Sequence, residues 1–139
     1  MSKRIKRRIG MRRRVTTGLN TGSMVTCADN TGARKLKLIQ VIGYKGVRRR
    51  QPPAGVGDLI VVSCREGTPE MRRQIFNAVV IRQRKIYPRR DGTWVQFDDN
   101  AAVILTPDGE IRGSDIKGPV AKEAVERWPR LNQVARMVV

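Results

Sequence analysis

Histidine is absent from all 139 residues. That removes the commonest general base and the commonest metal ligand near neutral pH. Cysteine occurs only twice, as Cys27 and Cys64, in no CxxC pair and with no histidine to join it. The donor set of a four-ligand zinc site is therefore missing, and no cofactor is expected. Both cysteines lie in strand-like stretches and read as reduced, half-buried core residues that pack as small apolar side chains. A disulfide between them stays open, although nothing implies an oxidising compartment. Aromatics are scarce: Tyr44, Phe76, Tyr87, Trp94, Phe97 and Trp128. A single-strand binder uses a row of aromatics as stacking platforms, and no RNP-like cluster is present. No apolar run approaches the ~20 residues of a membrane span. The N-terminus is arginine-rich where a secretory signal has its apolar core, so no such signal is expected.

What the chain has is positive charge. Lys and Arg number 29 against 12 Asp and Glu, a formal net of +17. Solubility needs far less, and such an excess implies a polyanionic partner. Nucleic acid leads. An anionic membrane surface is the rival, but no long amphipathic basic helix is visible. The charge is also uneven: residues 1–90 carry 23 basic and 4 acidic side chains, and residues 91–139 carry 6 and 8. The two parts are expected to face different partners.

Residues 1–23 read as a basic tail. Lys3, Arg4, Lys6, Arg7, Arg8, Arg12, Arg13 and Arg14 stand there without one acid. Such a segment buries too little apolar surface to offset its ordering entropy, so it is expected to order only on a partner. A mitochondrial targeting peptide is the alternative, but the arginines clump and serine is scarce. Residues 24–116 read as a string of strands: "MVTCA", "ARKLKLIQVIG", "DLIVVSC", "QIFNAVVIRQRKIY", "WVQF" and "AAVILT". Turn signals separate them, among them "DNTG", "PPAGVG", "RRDGTW" and "PDGE". Asp91-Gly92 reads as a tight primed hairpin turn with positive φ angles. Five or six short strands predict a mainly β fold, a small barrel. In residues 117–139, Gly118 and Pro119 read as a helix start. Val120, Ala121, Ala124, Val125 and Trp128 then share one helical face, and Trp128 reads as an anchor on the barrel. Pro129 opens a second short helical turn through Leu131 and Val134. The last residues, with Met137, Val138 and Val139, either pair with a barrel strand or offer an apolar edge to a protein partner.

Loops and the tail carry the contacts of a small barrel. Arg48, Arg49 and Arg50 lie in a loop held by strands at both ends and stiffened by Pro52 and Pro53, which lowers the entropy lost on binding. Arginine forks match phosphate oxygens bidentately. Lys45, Arg72, Arg73, Arg82, Arg84, Lys85, Arg89 and Arg90 extend the candidate set, with Arg82 and Arg84 placed on one strand face roughly 7 Å apart. With so few aromatics, backbone-directed binding to structured RNA or duplex fits better than single-strand binding. Composition does not separate RNA from DNA.

Other chemistry is thin. "DNTG" is close to the Asp-Thr-Gly of aspartic proteases, but Asn30 interrupts it and Asp29 reads as a turn residue. "GYKG" and "GVGD" lack the lysine spacing of a phosphate-cradling loop. Asp98 and Asp99 are adjacent, so on a strand they point apart. Missing histidines and unpaired carboxylates argue against an RNA-processing enzyme. A free nucleic-acid-binding or RNA-chaperone module remains as a second class.

A long spaced pattern sits in the second half of the strand region. "AVVI" (Ala78–Ile81) is followed by nine residues and "DG" (Asp91, Gly92), then by Phe97, Asn100 and "VI" (Val103, Ile104). With "ADNTGARK" (Ala28–Lys35), "AGVGD" (Ala54–Asp58) and "KGPVAKE" (Lys117–Glu123), it resembles the fourteenth universally shared protein family of the large ribosomal subunit, from Met24 to about Val134. "PPAGVGD", "VVIRQRK" and "GPVAKE" resemble its archaeal and eukaryotic branch. The resemblance implies a closed five-stranded barrel with short C-terminal helices. It implies a structural protein of the cytoplasmic ribosome that binds large-subunit rRNA near the subunit interface, among neighbouring large-subunit proteins. It further implies an inter-subunit bridge with small-subunit rRNA and a position beside the anti-association initiation factor. It does not say which basic residue meets which RNA strand.

Overall fold

The computed structural model describes residues 15–139; residues 1–14, and with them the eight basic residues of the tail, lie outside the described residues. The described part of the predicted tail sits on the barrel. Leu19 is buried, and β1 (Leu19–Asn20) pairs antiparallel with β4 (Pro53–Ala54). The charge count of residues 1–23 hides this: Val15 and Leu19 are the apolar anchors of its described part.

β2 (Met24–Cys27), β3 (Ala33–Val41), β5 (Leu59–Gly67), β6 (Ile75–Arg82) and β9 (Ala101–Leu105) close a five-stranded barrel in that order. Neighbours are antiparallel except at the closure, where β2 runs parallel to β9 with Thr26 opposite Ala101. Closure removes the open edges that a flat sheet of this size would expose.

Two apolar clusters explain the strand texts. Val25, Leu36, Leu38, Ile60, Val62, Ala78, Val80, Ala102 and Ile104 fill the barrel interior. Leu59, Val79, Ile81, Ala101, Val103 and Leu105 point out of the wall into a second cluster, beneath Tyr87, Phe97, Ile116, Ala124, Trp128 and Leu131. "AVVI" and "AAVIL" are wholly apolar because both of their faces are buried. β3 alternates, with Lys37 between buried Leu36 and Leu38, because its outer face is open.

The cover over β6 and β9 comes from the second half of the chain. β7 (Tyr87–Pro88) and β8 (Trp94–Val95) form a hairpin. β10 (Ile116–Val120), α1 (Lys122–Arg127), α2 (Leu131–Val134) and β11 (Ala135–Val138) follow. Trp128 is the predicted anchor: it is buried, and its indole N–H donates to the Gly57 carbonyl at 2.9 Å. The predicted helix start is corrected. Gly118 and Pro119 belong to β10, and α1 begins at Lys122. Arg82 draws the carbonyls of Lys117 and Pro119 toward its guanidinium, which holds this backbone extended. Gly118 has φ +79°, and a Cβ there would stand 2.7 Å from Arg82 Nη1, so glycine serves a close approach here. β11 pairs with β10, in parallel, and not with a barrel strand.

The hairpin turn is also looser than "DG" implies. Only Gly92 takes a positive φ, +90°, between Arg89 and Thr93, whose backbones are hydrogen-bonded at 2.8 Å. Asp91 instead accepts from the Thr93 N–H at 3.0 Å and the Thr93 hydroxyl at 2.6 Å. Asp29 is the turn residue expected. It is buried, accepts from Thr31 and from the Ile104 N–H, and so ties the β2–β3 turn to β9. Cys27 and Cys64 are both free and buried. Burial, helped by Asp29, which accepts from its Sγ, pushes the Cys27 thiol up to about 12.

Candidate nucleic-acid interface

Strand direction decides which basic residues meet. β3 ends, β5 begins, β6 ends and β9 begins at one end of the barrel. The loop between Val41 and Leu59 and the segment between Arg82 and Ala101 therefore leave from that same end. Lys45, Arg48, Arg49 and Arg50 on the first, and Arg84, Lys85 and Arg90 on the second, are all exposed. None is ion-paired among the described residues. Residues 16–18 lie at this end too, through Gln83 Nε2 donating to the Thr16 carbonyl and the Gly18 N–H to Ala54. Residues 16–18 thus lie beside the arginine loop, which Gln51 ties to Thr21.

The loop is shaped by its own backbone. The Arg50 N–H closes a turn on the Val47 carbonyl at 3.1 Å, and Arg49 sits at its corner with φ +70°. A non-glycine residue in that region carries strain. The corner breaks an Arg-Arg-Arg run that would otherwise continue as an extended chain. Gln51 Nε2 donates to the Thr21 carbonyl and fastens the loop to the β1–β2 turn.

Arg72 and Arg73 lie elsewhere. They occupy the β5–β6 turn, at the opposite end of the nine-residue β5, roughly 25 Å of extended chain away. Arg34, Arg65 and Arg112 are exposed at this second end as well, and Arg112 lies 5.2 Å from the Phe76 ring centroid. These three were missed in the sequence. The antiparallel pairing of Lys35 with Glu66 brings Arg34 and Arg65 together, and the turn after β9 returns Arg112 to the Ile104 carbonyl, long-range facts with no local signal.

Two candidates already have partners inside the fold. Arg82 is buried. It grips Asp99 with Nε at 3.0 Å and Nη2 at 3.2 Å, and gives Nη1 to two carbonyls. Arg89 is largely covered. It donates to both Glu123 oxygens and, through Nη2, to the Val139 carbonyl at 2.6 Å. Glu123 also accepts from the Tyr87 hydroxyl at 2.8 Å. Burial and then Glu123 push the Tyr87 phenol above its ordinary value.

The chain's end presents a different surface. Met137, Val138 and Val139 are 53%, 41% and 45% exposed, while their backbone is held by β10 and by the Lys122 N–H on the Val139 carbonyl. Apolar side chains thus stand in solvent on an ordered strand. Among the described residues, no group of three or more His, Cys, Asp or Glu could hold a metal ion, and no helix is long and apolar enough to cross a membrane.

Exposed arginines thus stand at both barrel ends. The ribosomal protein L14p/L23e family matches residues 18–139. The large ribosomal subunit protein uL14 of Thermoplasma acidophilum is 58% identical over 130 residues, 94% of this chain and 98% of that protein. The proteins of the same name from Thermoplasma volcanium and Sulfurisphaera tokodaii are 57% and 52% identical, each over 94% of this chain and over 98% and 95% of their own lengths. The chain therefore belongs to the ribosomal protein L14p/L23e family and is a structural, non-enzymatic component of the large ribosomal subunit.

Proposed function

We propose that the protein binds large-subunit rRNA through the phosphate backbone, chiefly at the barrel end that carries Lys45, Arg48–Arg50, Arg84, Lys85 and Arg90. The observation that carries this reading is the gathering of seven exposed cations at one end with no acid paired to them. A polyanion bound there relieves the self-repulsion of these charges. Arg72 and Arg73, with Arg34, Arg65 and Arg112, form a second contact at the far end, so the barrel can sit between two RNA segments. One of these segments belongs to small-subunit rRNA across the subunit interface, which makes the protein part of an inter-subunit bridge. Met137–Val139 supply an apolar edge to a protein, with the anti-association initiation factor as the first candidate and a neighbouring ribosomal protein as the second.

The test is the salt dependence of binding to a large-subunit rRNA fragment. Each phosphate contact contributes about −0.7 to −0.9 to the slope of log affinity against log salt. Replacing Arg48, Arg49 and Arg50 with alanine is expected to flatten the slope by about two to three. An unchanged slope means the loop faces away from RNA and overturns this assignment.

A further inference from the structure

Five of the six aromatics serve the fold. Phe76, Tyr87, Phe97 and Trp128 are buried, and Tyr44 packs against the interior cluster. Trp94 does neither and is 64% exposed. A tryptophan side chain offers a large apolar area, so leaving it in water forgoes a substantial stabilisation.

Its support is rigid. Alternation along the β7–β8 hairpin turns Tyr87 and Phe97 inward and Ile86, Pro88 and Trp94 outward. Trp94 stands directly opposite Pro88. Tyr87 and Arg89 root the first strand on Glu123, and Asp91 clamps the turn through Thr93. An indole on such a base loses little entropy when something stacks on it. Cations outnumber acids around it: Arg84 and Lys85 precede the hairpin and Arg90 lies in its turn, all three exposed and without an ion pair among the described residues, against exposed Asp91, which is bonded to Thr93, and Asp98. An apolar plane flanked by phosphate-binding groups matches a nucleotide taken out of its stack, with a flat face beside an anion. A duplex offers backbone and base edges but no free base face. A protein partner for this surface would need acids to meet the three cations.

We infer that Trp94 is a stacking platform for one unpaired base of the bound rRNA, with Arg84, Lys85 and Arg90 holding the phosphates on either side. The inference rests on the rRNA-binding reading above and adds that the contact is to a nucleobase.

The experiment uses the full chain with two probes, a stem–loop RNA with an unpaired loop and a fully paired duplex of equal length. Intrinsic fluorescence and affinity are measured over a salt series for the wild type, Trp94→Ala and Trp94→Phe. The stem–loop is expected to quench wild-type emission through Trp94. Trp94→Ala is expected to lose about 5- to 150-fold in affinity for the stem–loop and none for the duplex, with its salt slope and melting temperature unchanged. Trp94→Phe recovers most of the loss, because any aromatic face can stack. An equal loss on both RNAs, or no loss on either, overturns the stacking assignment and leaves rRNA binding intact. Intact RNA affinity with impaired incorporation into the large subunit also overturns it, since the hairpin then meets a protein. If the wild type shows no salt-dependent binding to either RNA, the rRNA-binding reading itself falls, and the stacking assignment falls with it.

Discussion

Arg82 closes β6 and Arg84 follows it by two residues, both basic, yet replacing each with alanine is expected to have opposite consequences. The Arg82 side chain is 8% exposed and makes two bonds to Asp99, at 3.0 and 3.2 Å, and two to the carbonyls of Lys117 and Pro119, at 2.9 and 2.8 Å. Breaking a fully buried ion pair from one side costs about 3–5 kcal/mol. Asp99 is 42% exposed, so its carboxylate regains water and that part is discounted. The Pro119 carbonyl is half-buried and loses a charged donor, a bond of about 1.5–3 kcal/mol. The Lys117 residue is exposed and its carbonyl rehydrates. The net expectation for Arg82→Ala is a loss of about 2–4 kcal/mol, which lowers Tm by about 6–16 °C for a chain of this size. Its salt slope with rRNA stays at the wild-type value once measured well below the lowered Tm. Arg84→Ala is expected to stay within about 0.5 kcal/mol of wild-type stability and to flatten the slope by about 0.7–0.9. Thermal melts by circular dichroism and a salt series on one rRNA fragment read both. An Arg82→Ala protein that melts like the wild type but loses salt dependence would refute the assignment of Arg82 to the fold.

Alkaline pH is expected to destabilise the protein in a defined window. The folded Cys27 thiol titrates at about 12 against an ordinary 9.0, and Tyr87 is likewise raised. The folded state keeps protons that the unfolded chain releases, so this stability is fully present below pH 9.0 and is lost as pH rises toward about 12. Melts at stepped pH are expected to lose up to about 1.4 kcal/mol per pH unit per group, and Cys27→Ala is expected to flatten the early part of that fall. Replacing Met137 and Val138 with serine keeps the β10–β11 backbone pairing and removes the apolar edge. It is expected to weaken retention of the anti-association factor on the large subunit while stability changes by less than about 1 kcal/mol, read by pulldown beside a melting curve.

Much of the barrel was legible because its strands differ in a way that the text records. β3 alternates and faces water; "AVVI" and "AAVIL" do not alternate and are covered on both sides. Legibility fails where a partner lies far along the chain. Gly118-Pro119 has the local chemistry of a helix start, but a guanidinium from residue 82 holds it extended. Arg82 and Arg84 look alike until Asp99 is folded against one of them. Arg34, Arg65 and Arg112 join the far end of the barrel only through strand pairing and the β9 turn. Leu19 stands alone among Thr16, Thr17, Gly18, Asn20 and Thr21, too little signal for a strand that pairs across more than thirty positions.

The Arg89 guanidinium reaches from the base of the β7–β8 hairpin to Glu123 on α1 and to the Val139 carbonyl. The surface proposed for RNA and the edge proposed for a protein are therefore not independent ligand sites, because one side chain is a tenant of both. A factor that draws Val139 away takes an acceptor from the root of the hairpin. RNA that shifts the hairpin loosens Val139, just past the strand the factor would grip. Linkage makes the effect reciprocal: whatever factor of affinity the RNA imposes on the protein partner, the partner imposes on the RNA. A subunit carrying this protein could thus report at its factor-binding edge whether the RNA beside the hairpin is in place, through the one arginine that joins them.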